Sequence, residues 1–533
     1  MVLVLQCLGG LALVLLAAGI AIRLLYPLPS LELRAASAHI TDTGDTPLGR
    51  GVARLSRDQR DRSGIHQLND GRDAFAARIL LARAAVRSLD IQYYIWHGDR
   101  SGTLLLEAVR QAADRGVRVR MLLDDNGIAG MDSVLAALDR HPNIVIRLFN
   151  PFVLRSPKML GYLADFPRLN RRMHNKSFTA DNQATIIGGR NIGDEYFGAR
   201  DEGLFLDLDV LALGPVVEDV SRDFDRYWAS ESAYPAARIL PEVSLEELKQ
   251  LSRQASLVET DPAARAYVEA IRSLPFIEQT LAGTIPLEWA PVHMVSDDPA
   301  KGVGKAPRGA LLAAALRHAI GEPQSETRLV SGYFVPGRAG VDALGALAAR
   351  GVDVAVFTNA FQSTDVWIVH AGYAERRKPL LKAGVRLFEM RGPDRADGKR
   401  PRRSLLSTGS GSGGGSDGPV LRSSASMLHA KTFAVDGQRL FVGSFNFDPR
   451  SMHLNTELGF VIESPTLAAD VSNAFLTDIP ANAYEVVLAE DGRLNWLERT
   501  PDGVGVHTDE PGTNGWQRAA ISLLSRMPIE WLL

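Results

Sequence analysis

Residues 173–197 read MHNKSFTADNQATIIGGRNIGDEYF and set His174, Lys176 and Asp181 in the spacing H-x-K-x-x-x-x-D. Gly188, Gly189, Arg190 and Asn191 follow. The pattern returns at residues 427–448, MLHAKTFAVDGQRLFVGSFNFD, where His429, Lys431 and Asp436 keep the same spacing and Gly443, Ser444 and Asn446 follow. Two such strings with matched flanks, about half a chain apart, mark an internal duplication.

The spacing has a physical sense. A strand turns residues i and i+2 to one face, so His174 and Lys176 point the same way, as do His429 and Lys431. Phe178, Ile186 and Ile187, like Phe433, Val435 and Phe441, suit buried strands, with turns at Asp181-Asn182 and Asp436-Gly437. An imidazole beside an ammonium fits an anionic ligand: lysine holds phosphate oxygens while histidine attacks phosphorus or moves a proton. A core histidine near a surface lysine would explain one motif, but explains a matched pair poorly.

On either side of each motif, strand and helix alternate. In the first half, helices at 74–86, 104–115 and 131–140 interleave with strands at 88–95, 117–123 and 144–149, and Gly116 stands where a helix cap belongs. The second half repeats the series, with helices at 308–320, 340–350 and 374–383 and strands at 327–334, 352–358 and 385–389. The stretch RGVRVRMLLDDN answers RGVDVAVFTNA. This rhythm predicts an α/β sheet in each half.

The motif residues resemble the paired HKD motifs of the phospholipase D superfamily. The strings RRMHNKSFTADNQATIIGGRNIGDEYF, MLHAKTFAVDG, FVGSFNFDPRS and NTELG are similar to the bacterial cardiolipin synthases of that superfamily, nearest their C-type branch. The similarity runs from about residue 68 to the C-terminus. It implies two homologous phospholipase D-like α/β domains, packed pseudo-symmetrically around one site. It implies His174 as nucleophile and His429 as acid/base, with exchanged roles as the alternative. Lys176, Lys431, Asn191 and Asn446 would then hold the non-bridging phosphate oxygens. Asp181 and Asp436 complete the motifs and, lying at turns, read as structural more than catalytic.

Each histidine needs a carboxylate to orient it. Aligning Gly214-Pro215 with Ser464-Pro465 sets Asp207 opposite Glu457, each roughly thirty residues after its histidine on the next expected strand, with Asp209 as substitute for Asp207. His370 and Tyr373, in VHAGY, resemble a family motif near an acceptor pocket, or are packing residues. Lysines and asparagines supply the charge at phosphorus, so no metal or other cofactor is expected. Asp124-Asp125 reads as a strand-end turn with Asn126-Gly127 and is a poor ligand set for magnesium.

The implied substrates are phospholipids: a phosphatidyl group passes to a lipid alcohol to form cardiolipin, the donor being phosphatidylglycerol or phosphatidylethanolamine. A hydrolase of the same superfamily, phospholipase or nuclease, uses water instead. A binding protein with dead motifs fits poorly, since both motifs are intact. A nuclease would show basic and aromatic residues interleaved along a groove, which a chain of net charge −3 does not advertise, so no nucleic acid is expected. Protein partners are left open.

The chain starts with an apolar run, residues 2–22, that reaches about 30 Å as a helix, enough to cross a bilayer core. Residues 1–28 read as an anchor in the bacterial inner membrane, or as a cleaved signal segment whose weak site is Gly19-Ile20-Ala21. The flanking charges are too few to settle the side of the membrane. Residues 29–66 read as a tether, 67–234 as the first domain, 235–295 as a helical connecting lobe, 296–480 as the second domain and 481–533 as a C-terminal segment. Within the second, residues 394–426 combine Arg395, Lys399, Arg400, Arg402 and Arg403 with STGSGSGGGSDG and read as a flexible basic loop. Cys7 is the single cysteine, which excludes an intramolecular disulfide and a cysteine zinc cluster.

Overall fold

Two large sheets carry the two motifs, one in each half of the chain. The computed structural model describes residues 2–525 apart from 33, 200–204, 273, 365 and 393–426, so the basic loop expected at 394–426 lies outside the described residues. In the nine-stranded first sheet, Ser88–Ile95, Arg118–Gly127 and Ile144–Phe149 run parallel. The hairpin Ser177–Ala180 and Ala184–Gly188 then joins antiparallel to Ser88–Ile95, and Asp209–Leu213 continues the sheet. The ten-stranded second sheet repeats this order. Glu326–Ser331, Asp353–Asn359 and Arg386–Met390 run parallel, followed outward by Lys431–Val435, Arg439–Gly443 and Leu458–Ile462. The duplication seen in the motifs therefore extends to these six strands of each sheet, and the sheets differ at their edges.

The motif hairpins turn as their sequences require. Asp181 and Asn182 have φ of 50° and 51°, and Asp436 and Gly437 have 54° and 60°. Positive φ at both central residues is the type I′ geometry whose twist matches the flanking strands. Asp, Asn and Gly are the residues that tolerate it.

One hydrophobic core is shared between the halves. Ile187, Val210, Ala212 and Val216 of the first pack with Leu440, Val442, Leu458 and Phe460 of the second. Fully burying each such Val, Leu, Ile or Phe side chain is worth roughly 1.5–3 kcal/mol. The two halves thus fold against each other, and the motif strands beside this core are held in a fixed relation.

Several boundaries differ from the sequence reading. Residues 29–66 do not hang free as a tether. Arg34 donates to the carbonyls of Ser230 (2.6 Å) and Ala233 (2.7 Å), His39 pairs with Asp225 (2.7 Å), and Ser63–Leu68 enters the first sheet. These bonds go mostly to backbone groups, which leave no periodic trace in sequence. The connecting lobe holds three helices, Leu245–Thr260, Pro262–Arg272 and Pro275–Ala282. Its last part is strand: Glu288–Ala290 joins the first sheet and Val292–Ser296 the second. Beyond residue 480, three antiparallel strands extend the second sheet, ending at Gly503–His507. The helix expected at 308–320 begins only at Leu312. That expected at 374–383 is two pieces, Trp367–Ala374 and Arg377–Lys382.

Candidate active site

Each motif histidine sits where its own domain meets the other. His174 N donates to the Thr456 carbonyl (2.9 Å), and Thr456 N to that of Arg172 (2.9 Å). His429 N donates to the Leu206 carbonyl (2.8 Å), where Met427–Leu428 pairs in parallel with Phe205–Leu206. Each segment that carries an orienting carboxylate is thereby laid beside the other domain's histidine.

The orienters are crossed as a result. His174 Nδ1 lies 2.8 Å from Glu457 Oε2, and His429 Nδ1 lies 2.5 Å from Asp207 Oδ2. The order along each half suggested a carboxylate for each histidine from its own half; the packing gives each one the other's. Both acids stand just before a strand, Asp209–Leu213 or Leu458–Ile462, rather than within it. Asp209 is no substitute for Asp207, because its carboxylate pairs with Arg78 (2.8 Å) and accepts from Arg190 N (3.1 Å).

A further ring of contacts, unmarked by the motif spacing, holds these acids. Ser444 Oγ and Ser451 Oγ donate to Glu457 (2.5 and 2.8 Å), and Glu457 N donates to Asp297, itself paired with Lys301 (2.9 Å). Arg190 donates to the Asp207 carbonyl, and a Cβ at Gly189 would sit 2.1 Å from Asp207 Oδ1. The glycine after the first motif is therefore the space in which the orienter of the second fits. Sequence could have pointed to Ser444, Ser451 and Gly189, since all three lie in the strings that flank the motifs; Asp297 and Lys301 carry no such signal.

Burial sets the protonation. It pushes His174 down to about 4 and His429 to about 3, with the nearby lysines adding to it against the carboxylates. Against the same burial, His174 holds Glu457 below the usual carboxylate range, and His429 and Lys431 do so for Asp207. Each ring is thus neutral at pH 7 and donates Nδ1–H to its acid. Nε2 of each ring, with no protein hydrogen-bond partner among the described residues, keeps its lone pair. Both folded pKa values lie below the unfolded value of about 6.5. The folded chain therefore holds fewer protons between about pH 4 and 6.5, and these rings cost stability as pH falls through that window.

Lys176 and Lys431 are buried, and their ammonium groups reach the carbonyls of His174 and His429. Burial pushes Lys176 down to about 7, so an arriving anion would favour its charged form. Asn446 is buried, with its Oδ1 unpartnered. The Asn191 amide is partly committed, accepting from Ile95 N (3.2 Å) and donating to the Tyr196 hydroxyl (3.0 Å). Two neutral imidazoles whose Nε2 atoms have no protein partner among the described residues therefore stand beside two buried lysine side chains.

Other sequence-predicted residues fall elsewhere. Asp181 accepts from the backbone N–H groups of Val86, Arg87 and Ser88, and Asp436 from those of Gln324, Ser325 and Glu326. Both carboxylates clamp the motif hairpin to a neighbouring strand, away from the imidazoles. Alanine at Asp181 is expected to cost about 2–3 kcal/mol in denaturant unfolding, and less at the part-exposed Asp436. Loss of turnover without loss of stability would reverse that reading. Asp124 is taken by Arg172 (3.0 Å) and Met173 N, and Asp125 by Arg155 (2.6 Å) and Lys158 (3.2 Å), so the chain's own cations occupy this pair. His97, Asp99 and Glu195 are the one metal-like grouping among the described residues, but Asp99 already accepts from Gly102 N and Asp194 N. His370 and Tyr373 belong to a buried network with Glu510, Glu389 and Arg377 that ties down the C-terminal segment, not to the imidazole pair.

A family model described as cardiolipin synthase, PLD-like domain, matches residues 79–228 and 316–479. Those spans hold the two motifs and the two crossed pairs. The chain belongs to the cardiolipin synthase family of phospholipase D-like proteins. Within it, the chain is 47% identical to cardiolipin synthase C of Escherichia coli over 91% of its own length and 99% of that protein. It is 24% identical to the major cardiolipin synthase of Bacillus subtilis over 78% and 68% of the two chains. The fold is also that of the phosphatidylserine synthase of Haemophilus influenzae, with a TM-score of 0.54 at 12% identity, over 90% of this chain and 98% of that one.

Proposed function

We propose that this chain makes cardiolipin by transferring a phosphatidyl group from a phospholipid donor to a hydroxyl of phosphatidylglycerol, through a phosphohistidine on His174. The observation that carries the reading is the crossed pair of carboxylate-backed imidazoles beside two buried lysines. In the first step His174 Nε2 attacks phosphorus, the bond to the headgroup oxygen breaks, and that oxygen takes a proton from His429. This requires His429 to hold a proton, which the anionic phosphodiester favours by raising its pKa on binding. In the second step His429 removes the proton of the acceptor hydroxyl. That oxygen attacks phosphorus and the P–N bond to His174 breaks, restoring both rings. Lys176, Lys431, Asn446 and the remaining amide N–H of Asn191 stabilise charge on the non-bridging oxygens. Glu457 and Asp207 fix the tautomers and steady the imidazolium forms.

Likeness to cardiolipin synthase C favours transfer over hydrolysis, and the apolar helix Val2–Leu25 suits an anchor in the bacterial inner membrane. The test is product analysis. Purified full-length protein with phosphatidylglycerol alone, and with phosphatidylethanolamine added, should yield cardiolipin at a rate unchanged by EDTA, because lysines and amides take the place of a cation at phosphorus. The more productive mixture identifies the donor. Phosphatidate as the main product would make the chain a phospholipase, and a loss with EDTA that added magnesium restores would bring a metal into the site.

A further inference from the structure

The helix Val2–Leu25 does not stand apart from the body. Its C-terminal part packs on the short helix Gly161–Leu169, where a Cβ at Gly19 would sit 2.5 Å from the Leu163 carbonyl oxygen. Only glycine admits that approach. Gly161–Leu169 and the turn before it, Lys158–Leu160, form a shelf with two faces. Gly161 and Leu169 are buried, and Tyr162 packs edge-on to Phe152 with ring centroids 5.2 Å apart. The other face bares Met159, Leu160, Leu163 and Phe166, with Met159 68% exposed. Met159 and Leu160 lie in the 3₁₀ turn, Leu163 before the kink at Asp165 and Phe166 just after it, so together they form an exposed stripe along the shelf and not the regular face of one helix. Four large apolar side chains grouped on a surface mark a site of contact.

The stripe continues a second bare surface, since the adjoining helix exposes Leu13, Leu16, Ile20 and Leu24. Where the two helices meet there is a cavity of about 230 Å³, lined among others by Ile22, Arg23, Tyr26, Leu154, Asp165 and Arg168. Arg168 donates Nε to Asp165 (2.6 Å) and Nη2 to the Pro151 carbonyl (3.1 Å), while its buried Nη1 has no partner. Arginine and tyrosine at the end of an apolar run are the residues that settle among lipid headgroups.

We propose that residues 158–169 lie in the plane of the bilayer surface that the N-terminal helix enters, as a second membrane element of this chain. Met159, Leu160, Leu163 and Phe166 sit among the upper acyl carbons, about 5–10 Å into the boundary. Arg23 and Arg168 stand at the level of the lipid phosphates. The inference rests on reading Val2–Leu25 as a membrane anchor. It sets a membrane element close in the chain to the first motif, because the chain leaves the shelf at Leu169 and reaches Arg172 and His174 within five residues.

Cys7 is the single cysteine, so C7S protein accepts one label at a chosen position. The full chain would carry an environment-sensitive fluorophore at M159C or F166C, in phosphatidylcholine–phosphatidylglycerol vesicles containing lipids brominated at different depths. A label at L13C reports the anchor, and one at V504C reports water, from the far edge strand of the other sheet. The labels at 159 and 166 should shift to the blue and be quenched most by shallow bromines, the label at 13 by deep ones, and the label at 504 by neither. Water-like emission at 159 and 166 with quenching at 13 would overturn the inference and leave the anchor standing. Blue-shifted emission without quenching would place a protein surface over the stripe and overturn it too. Absence of quenching at 13 as well would remove the anchor and the inference together.

Discussion

Alanine at His174 or at His429 should lower cardiolipin formation by on the order of 10⁴-fold or more, and the double variant should lose little beyond either single one. The two rings act on the same phosphorus in consecutive steps, so removing one already removes the pathway the other serves. Each replacement also strips a buried carboxylate of its imidazole, Glu457 in one case and Asp207 in the other. Glu457 keeps Ser444 and Ser451, and the core shared by the two halves lies beside the rings and not on them, so the variants should stay folded. Near-wild-type product from either variant, or a double-variant loss equal to the product of the single losses, would dissolve the paired mechanism.

The crossing of the orienters predicts a pattern that the order of residues along the chain does not. E457Q and D207N keep the shape of each acid but no longer hold the ring in the tautomer that frees Nε2. With a natural phospholipid donor each should cost about 10²–10⁴-fold. A donor whose leaving group is a nitrophenolate separates them, because that group departs without a proton. D207N and H429A should then still release a first equivalent of nitrophenolate at near the wild-type rate, whereas E457Q should release it about 10²–10⁴-fold more slowly and H174A not at all. If each acid served the histidine of its own half, the two carboxamide variants would exchange behaviour.

Much of this was legible beforehand, for a physical reason. Ser88–Ile95, where polar and apolar residues alternate, and Ile144–Phe149, a mostly apolar run closed by Asn150-Pro151, fall where the pattern put them. The hairpin strands were legible too, but they begin at Ser177 and Lys431, so His174, Lys176 and His429 stand just ahead of a strand and not on one as the spacing suggested. The type I′ turns follow from Asp-Asn and Asp-Gly alone.

What escaped was whatever depends on one half meeting the other. Alignment compares order within each half, so it found Asp207 and Glu457 but had no access to which ring each would reach. Asp209, two residues on, has the right charge, yet the buried Arg78 claims it. Residues 29–66 looked unstructured because hydrogen bonds to carbonyls hold much of the segment, although Pro47–Leu55 within it is a helix, and His370, which VHAGY offered as part of a family motif or as a packing residue, bonds Glu510.

The central claim is that the phosphatidyl group rides on His174, and trapping it there is the direct measurement. Protein quenched during turnover with a labelled donor, digested and read by mass spectrometry, should carry a phosphatidyl adduct on the peptide containing His174, stable to base and lost in acid. H174A should carry none. An adduct on His429 would reverse the roles of the two rings, and its absence from both histidines while cardiolipin accumulates would contradict the account.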